Sequence, residues 1–226
     1  MRNVLIIVFI LAATTFASDW VDIFDGKSLR GWTIQSGFAT YRVEDGAIVG
    51  TTAKGSPNTF LCTNKEYGDF VLEFEVYLDS PELNSGVQFR SKVAPHEMVF
   101  LFADKDGKPK KRVIPKGRIY GYQVEIATET NKTSGGVYDE ARRGFFLQNV
   151  ADDPKASKAF DNKKWNKYRI ECKGNSIKTF INGIACSDFE DSLTFEGVIG
   201  LQVHGIGKRK GPLSVRWRNI RIKELE

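Results

Sequence analysis

Short segments that alternate between apolar and polar residues recur along the chain and limit how it can fold. The alternation is clearest in residues 69–78, DFVLEFEVYL, and in residues 119–126, IYGYQVEI. A period of two is that of a β-strand, whose side chains point to opposite faces in turn. No segment keeps the apolar period of an amphipathic helix for more than about two turns. The chain is therefore predicted to be built from strands.

Turn residues divide the chain into segments of strand length. Residues 41–50, YRVEDGAIVG, are predicted to form a hairpin, because the central Asp-Gly pair suits a type I′ turn. Residues 165–172 and 177–181 predict a second hairpin. Residues 92–116 contain several Lys and Pro residues and are predicted to form a long irregular loop. Repeated strands without a compositional break predict an all-β, two-sheet antiparallel sandwich in a single domain over residues 18–226.

Composition narrows the functional classes. Of the 226 residues, 41% are apolar and 27% are charged, as in a soluble globular protein. The net charge of +5 comes largely from two basic runs, residues 105–116 and 208–210, and the Gly and Pro residues within or beside them indicate exposed loops. No recognition helix and no Gly-aromatic RNA motif accompanies these runs. Nucleic acid is therefore not expected as a partner.

The first seventeen residues have the organisation of a signal peptide. Arg2 supplies a positive start, and residues 4–13 form an apolar run that is too short to span a bilayer. Thr15 and Ala17 place small residues before an expected cleavage after Ala17. No later apolar stretch has membrane-spanning length. The mature chain is expected to be exported, to the periplasm or outside the cell, without a membrane span.

Three cysteines remain in the mature chain: Cys62, Cys172 and Cys186. An exported protein can form one disulfide from three cysteines, and the sequence leaves the pairing open. Cys172 alternates with Ile170 and is predicted to be a small buried residue. No Cys or His pair has the spacing of a zinc site.

Three of the predicted strands carry polar residues in matched pairs, two positions apart. The pairs are Gln88 and Arg90, Gln123 and Glu125, and Gln202 and His204. Side chains at such positions point to one face, roughly 6 to 7 Å apart, so the six groups would converge if the strands share a sheet. Amides both donate and accept hydrogen bonds, which suits sugar hydroxyls. The alternative is that these residues form the ordinary solvated side of an antiparallel sheet.

The most polar stretch near a well-patterned strand is residues 118–144. Within it, Gln123 and Glu125 are predicted to form the floor of a pocket, and residues 139–143 are predicted to form part of its wall. If His204 meets Glu125 in this pocket, its imidazole can exchange protons near neutral pH. The pocket is therefore a candidate catalytic site.

Eight motifs in order resemble the 3-keto-disaccharide hydrolase domain family. They span nearly the whole mature chain: residues 23–32 (IFDGKSLRGW), 41–50 (YRVEDGAIVG), 67–75 (YGDFVLEFE), 84–91 (NSGVQFRS), 121–126 (GYQVEI), 134–144 (SGGVYDEARRG), 165–183 (WNKYRIECKGNSIKTFING) and 201–205 (LQVHG). The resemblance implies a jelly-roll sandwich of the concanavalin A-like lectin/glucanase type and export from a bacterial cell. It also implies action on glycosides whose sugar ring carries a ketone at C3. The sequence departs from the family pattern mainly in residues 104–116.

The implied chemistry assigns roles to the candidate residues. A C3 ketone acidifies the C2 hydrogen, and its removal lets the enolate expel the C1 substituent before water adds to the product. Glu125 and His204 are expected to act as base and acid, in an order that the sequence does not fix. Arg90, or a bound divalent metal that the sequence does not identify, would stabilise the enolate. Sugar hydroxyls are expected to bind Gln88, Gln123, Gln202, Tyr122, Tyr138 and Asp139, with Arg143 at the rim.

Three other functions stay open at the sequence level. A lectin-like module would use the same face to bind sugar without cleaving it. A laminarinase-type glycosidase would need a third acid beyond Glu73 and Glu75, but the residue three positions after Glu75 is Leu78. An exported structural or adhesion domain is the weakest option. The sequence names neither the leaving group nor the anomer, and it gives no oligomeric state.

Overall fold

The computed structural model describes residues 19–127 and 130–225, so the predicted signal peptide, residues 1–17, lies outside the described residues. In this part of the chain the strands are β1 (Val21–Asp22), β2 (Trp32–Gln35), β3 (Thr40–Glu44), β4 (Ala47–Thr51), β5 (Thr59–Thr63), β6 (Phe70–Leu78), β7 (Ser85–Val93), β8 (Met98–Ala103), β9 (Pro109–Ile114), β10 (Ile119–Ile126), β11 (Val137–Glu140), β12 (Phe146–Gln148), β13 (Asn166–Lys173), β14 (Ser176–Ile181), β15 (Ile184–Glu190), β16 (Val198–Val203) and β17 (Ser214–Glu224). One short 3₁₀ helix, Ala156–Lys158, lies between β12 and β13.

The strands form two large antiparallel sheets that pack as a sandwich. The first sheet has the order β15-β14-β13-β6-β17-β4-β3, with β1 paired to β17, and the second has the order β12-β11-β10-β7-β16-β5-β2. Each sheet draws strands from the first and the last third of the chain. The predicted all-β, two-sheet antiparallel sandwich is confirmed.

Large aromatic residues fill the space between the sheets. Phe74 and Tyr168 stack with ring centroids 5.1 Å apart on the first sheet, and Phe89 and Tyr122 stack at 5.6 Å on the second. These four residues and Trp217 belong to one cluster of buried side chains. Full burial of a side chain of this size stabilises a fold by roughly 1.5–3 kcal/mol. The alternation within β6, β7, β10, β13 and β17 supplies these side chains to the core.

The predicted hairpins are present, one formed by β3 and β4 and the other by β13 and β14. Between β3 and β4, Asp45 has φ 51° and Gly46 has φ 73°, the paired left-handed conformations that a type I′ turn requires. Asn182 and Gly183 repeat this arrangement between β14 and β15, with φ values of 52° and 81°. Asn, Asp and Gly tolerate this region of backbone space better than other residues. These two turns fix the register of their hairpins.

The prediction of an irregular loop over residues 92–116 is wrong. This region contains β8 and β9, which pair antiparallel as a separate two-stranded sheet. Its turn is closed by Asp104, whose Oδ1 accepts hydrogen bonds from the backbone N of Asp106 and of Lys108. Phe102 packs against Phe145, with ring centroids 6.3 Å apart. The sequence does not show this hairpin because β8 is apolar throughout and β9 is largely basic, so neither strand alternates.

A β-bulge in β7 changes the direction of its later side chains. One extra residue of β7 is accommodated between Phe89 and Lys92 in its pairing with β10, and a matching shift occurs against β16. Arg90 lies within the bulge and has φ 45°. Because a bulge reverses the in-and-out pattern that precedes it, side chains beyond Phe89 cannot be assigned by simple alternation.

Two further sequence predictions concern the cysteines and a membrane span. Cys62, Cys172 and Cys186 are free thiols, and Cys172 is buried as predicted. Over the described ranges, no helix has the length and hydropathy needed to cross a bilayer.

Candidate active site

A pocket of about 290 Å³ opens on the side of the second sheet that faces away from the core. Its residues come from β10, β11, β12 and β16 and from the segments that precede β5 and β7. They are Asn58, Asn84, Gln123, Glu125, Tyr138, Glu140, Phe146, Gln202 and His204. We call this the Glu125 pocket. Its lining contains two carboxylates, an imidazole and four amides, so it can exchange protons and bind hydroxyl groups.

Gln123 is the centre of a buried amide network. Its Oε1 accepts hydrogen bonds from Gln88 Nε2 and from Gln202 Nε2, both at 2.8 Å. Because its oxygen is committed in this way, its Nε2 must point towards Glu125, and it donates to Glu125 Oε2 at 3.1 Å. Ser91 Oγ holds the far end of the network by donating to Gln88 Oε1 at 2.6 Å. The network therefore fixes the orientation of the Glu125 carboxyl group.

Gly86 makes room for this network. It lies on β7 opposite Glu125 and next to Gln202 on β16. A Cβ atom at this position would lie 2.5 Å from Gln123 Cδ and 2.7 Å from Gln123 Cγ. The absence of a side chain at residue 86 is what lets Gln123 lie flat across the sheet.

Glu125 is a buried carboxyl group without a cationic partner among the described residues. Its exposed fraction is 7%, and Asn84 Nδ2 donates to its Oε1. Burial raises its pKa to about 7, while the hydrogen bonds from Asn84 and Gln123 act in the opposite direction and the charge of Glu140 adds to the rise. A carboxyl group with a pKa near neutral can take up and release a proton during a reaction.

His204 follows the end of β16 and lines the same pocket. Its Nδ1 lies 2.8 Å from the carbonyl oxygen of Gly205. A carbonyl can only accept, so Nδ1 carries a hydrogen and Nε2 is the nitrogen free to exchange a proton. Asn58 Oδ1 accepts a hydrogen bond from Gly205 N at 2.9 Å and so fixes the segment that bears the imidazole.

Glu140 is the second carboxylate of the pocket. Arg118 Nη2 forms an ion pair with its Oε1, and Asn58 Nδ2 lies 3.4 Å from the same oxygen. Tyr138, two residues earlier on β11, packs edge-on against Phe146 with ring centroids 5.3 Å apart. Glu140 is thus paired with a cation while Glu125 is not, and the two carboxyl groups have different chemical properties.

The structure brings together most of the residues predicted from the three strand pairs. Gln123, Glu125, Gln202 and His204 line the Glu125 pocket, as does Tyr138, which was predicted separately. Gln88 lies beneath it, fully buried, and contacts the pocket only through Gln123. The predicted convergence of strands β7, β10 and β16 is therefore observed, with Gln88 in a supporting position.

Arg90 is not part of the pocket, and its predicted place beside Gln88 is wrong. The bulge in β7 turns its side chain away, where it is fully buried. Its guanidinium donates to Asp69 Oδ1 at 2.7 Å and to the carbonyl oxygens of Gly68 and Gly174 at 2.9 and 2.7 Å. Arg90 therefore joins the loops at the end of the sandwich and cannot reach an enolate in the pocket.

Tyr122 is also wrongly placed by the sequence interpretation. It lies on the core side of β10, and its hydroxyl group donates a hydrogen bond to Asp191 Oδ1. Asp139 on β11 is the cross-strand neighbour of Tyr122, so its side chain points to the same side of the sheet. Asp139 is fully buried and ion-paired with Arg142 at 2.8 Å and with Arg143. Strand alternation sends Asp139 inward when Tyr138 faces the pocket.

The predicted rim position of Arg143 is likewise wrong. Its guanidinium forms an ion pair with Asp191 at 2.7 Å besides the one with Asp139. It therefore belongs to the buried ionic cluster on the inner side of β11 and does not line the Glu125 pocket.

Sequence reasoning missed four residues of the pocket: Asn58, Asn84, Glu140 and Phe146. The signal for Glu140 was present, because it alternates with Tyr138 on a strand that faces the pocket. Asn58 and Asn84 each stand just before a strand, where the alternation pattern gives no direction.

Glu73 and Glu75 share one face of β6, as predicted, but on the first sheet and away from the Glu125 pocket. Arg221 and Arg169 are ion-paired with Glu73 at 2.7 and 3.1 Å, and Arg218 is paired with Glu75 at 2.7 Å. Carboxylates neutralised in this way are unsuited to the laminarinase-type mechanism. Among the described residues, no three His, Cys, Asp or Glu side chains are grouped to hold a metal ion.

Solved structures with the same architecture have sequences of low identity. A candidate glycosyl hydrolase from Parabacteroides distasonis has a TM-score of 0.57 at 17% identity, with 92% of this chain and 94% of that chain covered. The carbohydrate-binding module CBM66 from Bacillus subtilis has a TM-score of 0.55 at 17% identity, covering 86% and 96%. A Bacillus subtilis protein of unknown function with a galectin-like fold has a TM-score of 0.59 at 11% identity, covering 87% and 90%. The chain is therefore a galectin-like β-sandwich.

The sequence itself is more specific than the fold. Residues 19–223 match the 3-keto-alpha-glucoside-1,2-lyase-like domain over almost the whole described chain. The protein belongs to this family, and the resemblance seen in the eight motifs is confirmed. None of the curated proteins matches the sequence.

Proposed function

We propose that the protein cleaves glycosides whose sugar ring carries a ketone at C3, by elimination across C1 and C2 followed by hydration. Membership of the 3-keto-alpha-glucoside-1,2-lyase-like family supports the substrate class. The observation that carries the proposal is the state of Glu125, a buried carboxyl group with a pKa of about 7 that shares a 290 Å³ pocket with His204. A pocket of this volume fits one sugar ring.

The first step removes the C2 hydrogen as a proton. The C3 ketone makes this hydrogen acidic, and the Glu125 carboxylate accepts it, leaving an enolate. Asn84 and Gln123 each direct one amide hydrogen to the carboxyl group, which holds it in a fixed orientation during the transfer. A base in a desolvated site with a pKa near neutral is well matched to a weak carbon acid.

The second step breaks the bond between C1 and the leaving oxygen. The electron pair of the enolate forms the C1–C2 double bond, and protonated His204 donates from Nε2 to the departing oxygen. The bond from Nδ1 to the Gly205 carbonyl holds the ring while Nε2 gains and loses its proton. His204 is assigned this role because Gly205 borders a further cavity into which a leaving group can extend.

Amide donors take the place that the sequence interpretation gave to Arg90. Asn58 and Asn84 each use one side-chain hydrogen on a carboxylate, Glu140 and Glu125 respectively. An amide has a second hydrogen, so each can donate to the enolate oxygen. The edge of the Tyr138 and Phe146 pair supplies an apolar wall for a sugar ring.

Hydration restores the resting protein. Water adds to C1 of the enone, His204 takes a proton from that water, and Glu125 returns its proton to C2. The sum of the steps is cleavage of one glycosidic bond by one water molecule, with both side chains back in their starting states.

Incubation with 3-keto-trehalose and with 3-keto-sucrose, followed by chromatography, tests the proposal. We expect release of glucose or fructose together with a 3-keto-hexose, and no cleavage of the parent disaccharides that lack the ketone. Binding of either sugar without any cleavage would instead favour a lectin-like module. The structural likeness to a carbohydrate-binding module is the observation that favours this second candidate function.

A further inference from the structure

A second cavity, of about 650 Å³, lies beside the Glu125 pocket. Its walls come from the segment before β3, the segment before β5, the turn between β9 and β10, and the segment after β16. They are Ser36, Ser56, Pro57, Asn58, Pro115, Lys116, Gly117, Arg118, Gly205 and Gly207. The volume exceeds that of the Glu125 pocket and is sufficient for another sugar ring or an aromatic group.

The two spaces meet at three points. Asn58 lines both of them. His204 lines the Glu125 pocket while the next residue, Gly205, lines the second cavity. The ion pair between Arg118 and Glu140 also crosses the boundary, because Arg118 lines the second cavity and Glu140 lines the pocket. The proton donor that we assign to the leaving oxygen therefore stands at the junction.

The charges of the two linings are opposite. Among the described residues, two carboxylates, Glu125 and Glu140, line the Glu125 pocket, and no Lys or Arg does. In the same part of the chain, two cationic residues, Lys116 and Arg118, line the second cavity, and no Asp or Glu does. Lys116 is exposed and has no ion-pair partner in the part of the chain that the structure describes.

The hydroxyl groups of the cavity are already occupied. Ser36 Oγ donates to the carbonyl of Gly117 at 3.2 Å and accepts from the backbone N of Ile119 at 2.8 Å. Ser56 Oγ donates to the carbonyl of Pro57 at 2.9 Å. These bonds hold the walls in place, and they leave the cationic side chains as the principal donors for a ligand.

Each basic run of the sequence has one end beside this cavity. Lys116 ends the first run, and Gly207 immediately precedes the second run, residues 208–210. They are more than ninety residues apart in sequence, yet both border one space. The side chains of residues 208–210 line a neighbouring cavity, and from the two runs Lys116 is the cation that borders this one.

We propose that the second cavity receives the leaving group and favours one that carries an anionic substituent, a carboxylate or a phosphate. This inference rests on the proposed function, since it concerns the group released from C1. The neutral 3-keto ring occupies the Glu125 pocket, and the anionic end of the leaving group lies near Lys116.

Three matched aryl glycosides of 3-keto-glucose test the inference, with 4-hydroxybenzoate, 4-hydroxybenzamide and 4-hydroxyphenyl phosphate as leaving groups. We expect kcat/KM to be about three- to tenfold higher for the carboxylate than for the amide at low ionic strength. The ratio should fall towards one in about 1 M salt, because exposed charges are screened there. Comparison of the kcat/KM values for the carboxylate and the phosphate glycosides shows which of the two anions the cavity prefers.

Lys116→Gln is expected to reduce the ratio of carboxylate to amide, and Lys173→Gln is its control. Lys173 is an exposed lysine on β13 in the first sheet. A ratio near one for the unaltered protein, or an equal ratio in Lys116→Gln, would overturn the inference while leaving the proposed function intact.

If none of the three glycosides is cleaved, the proposed function fails and the cavity is tested by binding alone. Ligand-observed NMR with free 4-hydroxybenzoate then decides. Binding that weakens in Lys116→Gln but not in Lys173→Gln supports an anion-selective cavity, and no binding overturns it.

Discussion

Two glutamates on opposite sheets have almost equal exposed fractions, but their pKa values are shifted in opposite directions. Glu73 on β6 is 6% exposed and Glu125 on β10 is 7% exposed. Burial alone would raise the pKa of both. At Glu73, hydrogen bonds from Arg221, Lys167 and Arg169 outweigh burial and lower the pKa. At Glu125, the partners are neutral amides, and burial raises the pKa to about 7.

The comparison shows that the two sheets hold their carboxyl groups with different kinds of partner. On the first sheet, carboxylates and cations neutralise one another in the ion pairs of Glu73 and Glu75. On the second sheet, the amides of Gln88, Gln123 and Gln202 orient a carboxyl group without neutralising it. At nearly equal exposed fractions, the partners and the surroundings of each carboxyl group together separate the ion-paired Glu73 from Glu125, the proposed proton-transfer group.

The largest expected effect is that of Glu125→Gln on turnover. Removing the proposed base should lower kcat/KM for a 3-keto-glycoside by about 10³-fold, within the usual range for a general base. Glu97→Gln, at an exposed position, is the control and should retain the activity. Steady-state kinetics measure both, and near-normal turnover by Glu125→Gln would remove Glu125 from the mechanism.

The same variant should be more stable than the unaltered protein at high pH. Because the folded pKa of Glu125 lies above its unfolded value, its contribution to stability is full below about pH 4 and is lost as the pH rises through about 7. Replacement by Gln should raise the free energy of unfolding by roughly 1–3 kcal/mol at pH 8 and by little at pH 4. Urea titrations at the two pH values measure this difference, and a uniform loss of stability would contradict the account.

Gly86→Ala should have the next largest effect. The added Cβ would meet Gln123 Cδ at 2.5 Å, so the amide that orients Glu125 must move. A displaced positioning group should lower kcat/KM by about tenfold. In Gly68→Ala, the control, the nearest atom to the new Cβ is 3.6 Å away, and activity should persist.

Glu73→Gln should affect stability and not turnover. Its loss leaves the cations of Lys167, Arg169 and Arg221 without their shared carboxylate. Those cations are partly exposed, so the cost should be about 1 kcal/mol at pH 7. Because the folded pKa of Glu73 is lowered, this stabilisation is present above the unfolded pKa and is lost as the pH falls, the reverse of Glu125. A measurable loss of kcat in this variant would contradict the proposal that the first sheet is structural and the second sheet catalytic.

The smallest expected effects are two opposed shifts in the acidic limb of the pH profile of kcat/KM. The charge of Glu140 raises the pKa of Glu125 and the hydrogen bond from Asn84 lowers it. Glu140→Gln should therefore move the acidic limb to lower pH, and Asn84→Ala should move it to higher pH. Shifts in the same direction would mean that the limb does not report Glu125.

Much of the fold was predictable because alternation and turn chemistry are local signals. The hairpin at Asp45 and Gly46 follows directly from two adjacent residues, and β6 follows from nine. The hairpin of β8 and β9 was not predictable in this way, because β8 is a continuous apolar run and β9 is largely basic, so neither alternates between apolar and polar residues.

The site was predictable where alternation is unbroken and unpredictable where it is interrupted. Gln123, Glu125 and Gln202 lie within regular pairing and were found. The prediction for Arg90 is wrong because a β-bulge reverses the direction of its side chain. No residue type in β7 predicts that bulge. Asn58 lies before a strand and reaches the pocket only through the packing of separate loops.

Turnover of a 3-keto-α-glucoside in D₂O tests the central claim most directly. If Glu125 removes the C2 hydrogen and returns a solvent-exchanged proton, the released 3-keto-glucose should carry one deuterium at C2 when its NMR spectrum is recorded immediately after cleavage. Free 3-keto-glucose incubated with the protein for the same time corrects for exchange after release. Cleavage that leaves hydrogen at C2 and shows no primary isotope effect with the C2-deuterated glycoside would indicate direct displacement at C1 and would contradict the account.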